Sequence, residues 1–135
     1  MKISTKGKYA LRVLVDIATA DEMPVSLSGV AKRQNISVKY LEQIAALLKD
    51  AGLLESARGA SGGYRLAKDA KEITVAEILS ATGDTPKFAA CVGASCPKSG
   101  TCKTGGVWQT LANLINDYLG GLSLGDLINQ TYNKK

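Results

Sequence analysis

Cys91, Cys96 and Cys102 lie within 12 residues of one another, and the 135-residue chain has no other cysteine. Thiolates bind soft metals and clusters and take part in redox exchange. No secretory signal is expected from Met1 to Leu14, and without one an odd cysteine count does not make a disulfide framework, so a metal or redox site is the stronger reading. The spacing is C-x4-C-x5-C. Zinc sites usually aim two sulfurs at one ion through a tight C-x2-C turn or a close relative. Wider spacing in Gly-rich chain suits an iron–sulfur cluster, whose ligands spread over two or more irons. Gly93, Gly100, Gly105 and Gly106 let the backbone approach sulfide, and Lys87, Lys98 and Lys103 offset the anionic charge of thiolates. Spacing alone leaves three loop thiols without metal as an open alternative.

The chain contains no histidine, which removes the commonest general base and the commonest metal ligand. No activated nucleophile or paired-carboxylate motif stands out, so an enzyme is not expected. Three cysteines leave one ligand position of a cluster to a carboxylate, a hydroxyl, a backbone group or an exogenous ligand. Asp84 and Thr104 are the nearest candidates in the chain. A non-cysteine ligand makes a cluster labile, which suits sensing better than electron transport.

The second chemistry is cationic. Residues 1–71 carry 12 Lys+Arg against 7 Asp+Glu, whereas residues 72–135 carry five of each. The whole formal excess of +5 thus sits in the first half and points to a polyanion partner, nucleic acid above all. Lys6, Lys8 and Arg12 fall near the start of the first apolar-periodic segment. Positive charge there opposes the helix macrodipole, and a phosphate backbone would account for it.

Several elements must position these groups. Tyr9, Ala10, Val13, Leu14, Ile17 and Ala18 recur at helical spacing after Ser4 or Thr5. Met23-Pro24 breaks the chain. Ser26 caps a short helix over about 27–34, and Asn35 can take the left-handed conformation that ends it. Ser37 caps a second helix over about 38–51 with Leu41, Ile44, Leu47 and Leu48 on its apolar side, and Gly52 stops it. Two helices joined by so tight a turn have helix-turn-helix spacing. Ser37, Lys39, Glu42 and Gln43 fall on the outward side of the second helix and are types that read base edges in a major groove. An ordinary helical hairpin with a solvated face is the alternative.

The next segment favours DNA. Residues 54–58 and 64–66 alternate like two strands around the turn Gly59-Ala-Ser-Gly-Gly63. A helix-turn-helix followed at once by such a hairpin is a winged helix, with Arg58 and Ser61 at or near the tip. Arg58 is placed to enter a minor groove. No GK[ST] follows the glycines, which disfavours a phosphate-binding P-loop.

Thr74 to Glu77 form a capping box with Ile73 and Ile78 as a hydrophobic staple, predicting a helix over about 75–82. Residues 83–103 hold all three cysteines in a long loop. Beyond it, Val107, Leu111, Leu114, Ile115, Tyr118 and Leu119 form an apolar stripe on a long helix ending at Gly120-Gly121, with Trp108 beside it. A second copy of the same helix is the expected cover, so a homodimer follows. Packing back on the first helix is the alternative. Ser123 to Asp126 are a weaker capping box for a short last helix. The expected organisation is a DNA-binding unit over 1–82, a cysteine loop over 83–103, and a dimerisation helix with its tail over 104–135. No apolar run reaches the roughly 18 residues of a membrane span, so no membrane partner and a cytoplasmic location are expected.

The segments Ser4-Thr-Lys-Gly-Lys-Tyr-Ala10, Ile36-Ser-Val-Lys-Tyr40-Leu-Glu-Gln43, Arg58-Gly-Ala-Ser-Gly-Gly-Tyr64 and Leu122-Ser-Leu-Gly-Asp-Leu127, with the three cysteines and Trp108, resemble the Rrf-two family of bacterial transcription regulators. The resemblance runs almost from end to end. It implies a mainly α fold, a winged helix-turn-helix with a small β-hairpin wing and a long C-terminal dimerisation helix. It implies a homodimer on palindromic promoter DNA, with Tyr40 joining the reading residues. It implies an iron–sulfur cluster, 2Fe–2S, on Cys91, Cys96 and Cys102. The cluster-binding members take a histidine three residues after the last cysteine as fourth ligand, and in this chain that position is Gly105. A nitric-oxide-sensing branch takes a carboxylate from the first helix at the position of Lys8, which lysine cannot replace. The expected protein senses cluster supply and controls cluster-assembly genes, and it loses its cluster when prepared in air. Redox-, nitric-oxide- or zinc-responsive regulation on the same scaffold is the runner-up, and a small cluster carrier without a DNA role comes after it.

Overall fold

A computed structural model of the chain describes residues 2–59, 62–85 and 100–132. Among them, α1 (Thr5–Thr19), α2 (Leu27–Gln34) and α3 (Val38–Asp50) come first. Next are a two-stranded antiparallel sheet, β1 (Leu54–Ala57) and β2 (Gly63–Leu66), then α4 (Val75–Ala81), α5 (Gly105–Gly121) and α6 (Leu124–Asn129). The mainly helical fold with a small hairpin agrees with the sequence reading.

The caps form as their sequences suggest. The side chains of Ser4, Ser26 and Ser37 accept from the amides of Gly7, Gly29 and Tyr40, each satisfying a donor that the helix leaves unpaired. Asn35 adopts φ 54° and ends α2. The three-residue connection from Asn35 to Ser37 then starts α3. The capping boxes of Thr74 with Glu77 and of Ser123 with Asp126 are both closed. Inward faces of α1, α2 and α3 meet in one core, with Leu14, Ile17, Val30, Leu41, Ile44 and Leu48 fully enclosed.

The hairpin pairs Leu54 with Leu66 and Ser56 with Tyr64. Its outer edge is occupied as well. Val25 exchanges two backbone hydrogen bonds of 2.8 Å with Tyr64, forming a third, one-residue strand. This approach explains Gly63, because a Cβ there would run into the Val25 carbonyl. Lys49 Nζ donates to Ser56 Oγ at 3.0 Å, and the Leu53 amide donates to the Leu48 carbonyl at 2.9 Å. These bonds hold the base of the hairpin against the end of α3.

The chain after α5 returns to this body. The Val75 amide donates to Leu122 O at 2.9 Å, and the Leu124 amide donates to Ile73 O at 2.7 Å. Leu124 is fully buried in the same core as Leu14 and Ile44. α5 packs on α4, with Leu119 against Val75, Leu79 and Leu122. Its main support in the chain is α4, while α1 packs on α2, α3, β2, α4 and α6, and Leu11 of α1 joins the same small cluster as Leu119. No helix among the described residues is long and apolar enough to cross a membrane.

Candidate functional site

The outward face of α3 is built by elimination. Leu41, Ile44, Ala45 and Leu48 are committed to the core, which leaves Ser37, Lys39, Glu42, Gln43 and Ala46 exposed. Arg58, just past the end of β1, is exposed too. Among the described residues, the side chains of Lys39, Glu42, Gln43 and Arg58 have no hydrogen-bond or ion-pair partner. A row of unpaired, mixed-polarity side chains at the start of a rigidly held helix can donate to and accept from base edges. Ser61 lies outside the described residues.

Tyr40 and the α1 cations are placed differently from one another. The Tyr40 ring is half-buried and stands edge-on to Tyr9, with centroids 5.9 Å apart. The Arg12 guanidinium lies 5.3 Å from the Tyr9 ring centre. It also donates from Nε to Gln34 Oε1 at 3.1 Å and from Nη2 to the Gln34 carbonyl at 3.0 Å. Gln34 Nε2 in turn donates to Asp16 Oδ2 at 2.8 Å, and Arg33 Nη2 meets Asp16 Oδ1 at 2.6 Å. A continuous chain thus runs from the reading helix across α1 to the end of α2. Its charged members explain Arg12 as a carbonyl-binding brace. Lys8 is exposed, while Lys6 is half-buried and its charge acts on Asp84.

Asp84, one candidate for the fourth ligand, is already engaged. Its Oδ1 accepts from the Ser4 amide at 2.9 Å, and its Oδ2 accepts from the hydroxyls of Ser4 at 2.7 Å and Thr82 at 2.8 Å. Burial pushes its pKa up, but the Ser4 hydroxyl and amide, the Thr82 hydroxyl and Lys6 outweigh this, so the carboxyl sits below its usual range. Asp16 behaves alike: burial raises it, and the bonds from Arg33 and Gln34 bring it below the ordinary value. A carboxylate lowered in the folded state adds stability that is present above its unfolded pKa, near 4, and lost as pH falls through the folded value. Asp16→Asn is therefore expected to cost about 1–3 kcal/mol at neutral pH. It should also flatten the fall of the urea midpoint as pH drops below about 4. An acid limb identical to the parent's would mean that Asp16 does not carry it.

Of the three cysteines, Cys91 and Cys96 lie outside the described residues. Cys102 is exposed and stands just before α5. Its Sγ is 3.4 Å from Thr104 Oγ1. The Thr104 hydroxyl, then the amides of Thr104 and Gly105, hold the thiol below its ordinary pKa. A stabilised, accessible thiolate is what a cluster ligand requires, so this residue fits the role. Among the described residues no three His, Cys, Asp or Glu side chains gather as a metal site. Thr104 is also unusual at its helix start. It takes αR geometry and makes no side-chain cap bond, unlike the serines that cap α1, α2 and α3.

Most of the apolar stripe of α5 is exposed, Leu119 being partly covered by α4. Val107, Trp108, Leu111, Leu114 and Tyr118 are exposed, Leu114 by 62%, and only Ala112 of this helix is buried. Ile115 is half-buried. An uncovered stripe of this extent marks an interaction surface. Sequence reasoning missed the brace from Tyr9 to Asp16, because only Tyr9 and Arg12 are helical neighbours and the pairs that link α1 to α2 and α3 are 17 to 31 positions apart. It also left out Val38, whose exposure at the edge of the α3 face a helical projection could have shown.

Three comparisons bear on this geometry. A family model named Rrf2 and described as an iron-dependent transcriptional regulator matches residues 3–130. An HTH-type transcriptional regulator of Neisseria meningitidis is 42% identical over 135 residues, covering 98% of this chain and 91% of that protein. The HTH-type transcriptional regulator IscR of Escherichia coli is 37% identical over 131 residues, covering 96% and 81%. Among solved structures, CymR, titled the global cysteine regulator of B. subtilis, superposes with a TM-score of 0.80 at 32% identity, covering 96% of this chain and 98% of that one. T. potens IscR gives 0.78 at 36% identity, covering 97% and 88%. The named relatives are transcriptional regulators and not enzymes.

Proposed function

We propose a function from one premise: the chain belongs to the Rrf2 family of transcriptional regulators. It acts in the cytoplasm as a homodimer on palindromic promoter DNA, and it senses iron–sulfur cluster status to control cluster-assembly genes. The observation that carries the DNA role is the unpaired, exposed face of α3, held by the Lys49–Ser56 bond and the Tyr40–Tyr9–Arg12 brace, with Arg58 exposed just past β1. Glu42 repels acceptor edges and accepts from cytosine N4, so it discriminates among sites. Lys8 and Lys39 meet phosphates or base edges. The exposed stripe of α5 is the seam between two copies, with Ile115 at its margin.

Cys91, Cys96 and Cys102 hold the cluster, which is 2Fe–2S and has a non-histidine fourth ligand. When bound, it supplies an oxidisable iron–thiolate centre whose presence reports cluster supply. The lowered thiol of Cys102 supports this reading. The same thiol also supports a second one, a redox or zinc switch on the same scaffold. Anaerobic purification decides between them. Iron and acid-labile sulfide in equal amounts with a visible spectrum, and DNA binding that changes when the cluster is removed, are expected. Stoichiometric zinc without sulfide would favour the second reading.

The DNA contacts have their own test. Arg58→Ala should weaken binding by about 1–3 kcal/mol and relax preference at one position of each half-site. Lys39→Ala should reduce the slope of log affinity against log salt by about one if it meets a phosphate. Gel-shift titrations across a salt series check both. Unchanged binding in the two variants would remove α3 and the wing from the interface.

A further inference from the structure

Val38 is the first residue of α3 and is 43% exposed. Among the described residues, the other large exposed apolar side chains are Met23 and five on α5. Helix stability does not account for valine there. The first turn of a helix favours acidic residues, this one has none, and a β-branched residue adds no helix stability. Val38 has a defined set of neighbours. Side chains four apart on a helix stand on one ridge, so Val38, Glu42 and Ala46 form an apolar–carboxylate–apolar row, all three exposed. Lys39 and Gln43 form the parallel row beside it.

In the major groove, thymine presents a C5-methyl and cytosine an N4 donor, both on the pyrimidine edge. Four helical residues span about 6 Å, close to two base steps of about 3.4 Å. We propose that Val38 is a specificity residue that packs on the C5-methyl of a thymine, within two steps of the cytosine read by Glu42 on the same strand. The ridge therefore reads a pyrimidine tract. This inference rests on the DNA-binding reading above and adds to it the base that the apolar end of the ridge selects.

The experiment uses the full chain and duplexes selected by it from a random pool. Each thymine of a selected half-site is replaced in turn by deoxyuridine, which removes only the methyl group. One replacement should weaken the parent about fourfold, the value expected for one buried methyl. Val38→Ala should bind the thymine duplex more weakly than the parent and bind the thymine and uracil duplexes equally. Because Val38 is exposed at a helix end, its circular dichroism should match the parent's. A parent indifferent to every uracil overturns the inference, as does a Val38→Ala protein that keeps the parent's thymine-to-uracil ratio. In both cases DNA binding itself stands. A chain that selects no duplex overturns this inference and the DNA-binding reading together.

Discussion

Leu111→Asp should give a monomer by sedimentation and lower affinity for a palindromic site by about 10²- to 10⁴-fold, the usual gain from joining two binding units. The stripe it interrupts carries Val107, Trp108, Leu114 and Tyr118, all exposed to solvent in a single chain. A charge placed there meets water in the monomer and costs its fold little. In the expected seam it is buried without a partner, which is severe. Two half-sites one helical turn apart are then no longer read by one particle. Leu114→Asp is the cleaner companion, because Leu114 is the more exposed of the two. Both variants should keep the parent's circular dichroism, and their thermal midpoint should no longer rise with protein concentration as a dimer's does. Dimers that persist in both would move the interface away from α5.

Each of Cys91→Ala, Cys96→Ala and Cys102→Ala should remove most of the iron from protein purified without air. Two thiolates with one weak ligand hold a cluster poorly, and no histidine is available to compensate. The converse change tests the vacant family position. A Cβ at residue 105 would lie 3.7 Å from Cys102 Sγ, ordinary contact with no closer neighbour among the described residues. Gly105→His can therefore be accommodated beside the Cys102 sulfur, and it should slow the loss of visible absorbance in air several-fold. Equal decay in parent and variant would show that residue 105 does not face the cluster. Full iron occupancy in all three alanine variants would sink the ligand assignment.

Much of this fold could be read from residues alone, because its signals are local. Ser26, Asn35, Ser37 and Gly52 bound α2 and α3 through hydrogen bonds and φ values set within three or four residues. The capping box of Thr74 and Glu77 is equally local. The α3 face followed from a 3.6-residue period, and so did the apolar stripe of α5. The family, too, was legible in short motifs spread over the chain, and the match over residues 3–130 bears it out. Tertiary structure decided what depends on distant partners. It gave Asp84 to Ser4, 80 positions away, because a short carboxylate at the end of α4 can reach the unpaired donors at the start of α1. It turned Arg12 toward the last carbonyl of α2, where a bound guanidinium satisfies an acceptor the helix cannot. It placed Val25 on the edge of the hairpin, which only Gly63 permits. It also seated Leu124 in the core of the N-terminal helices, since a six-residue helix cannot bury its own apolar side and must borrow a surface from elsewhere in the chain.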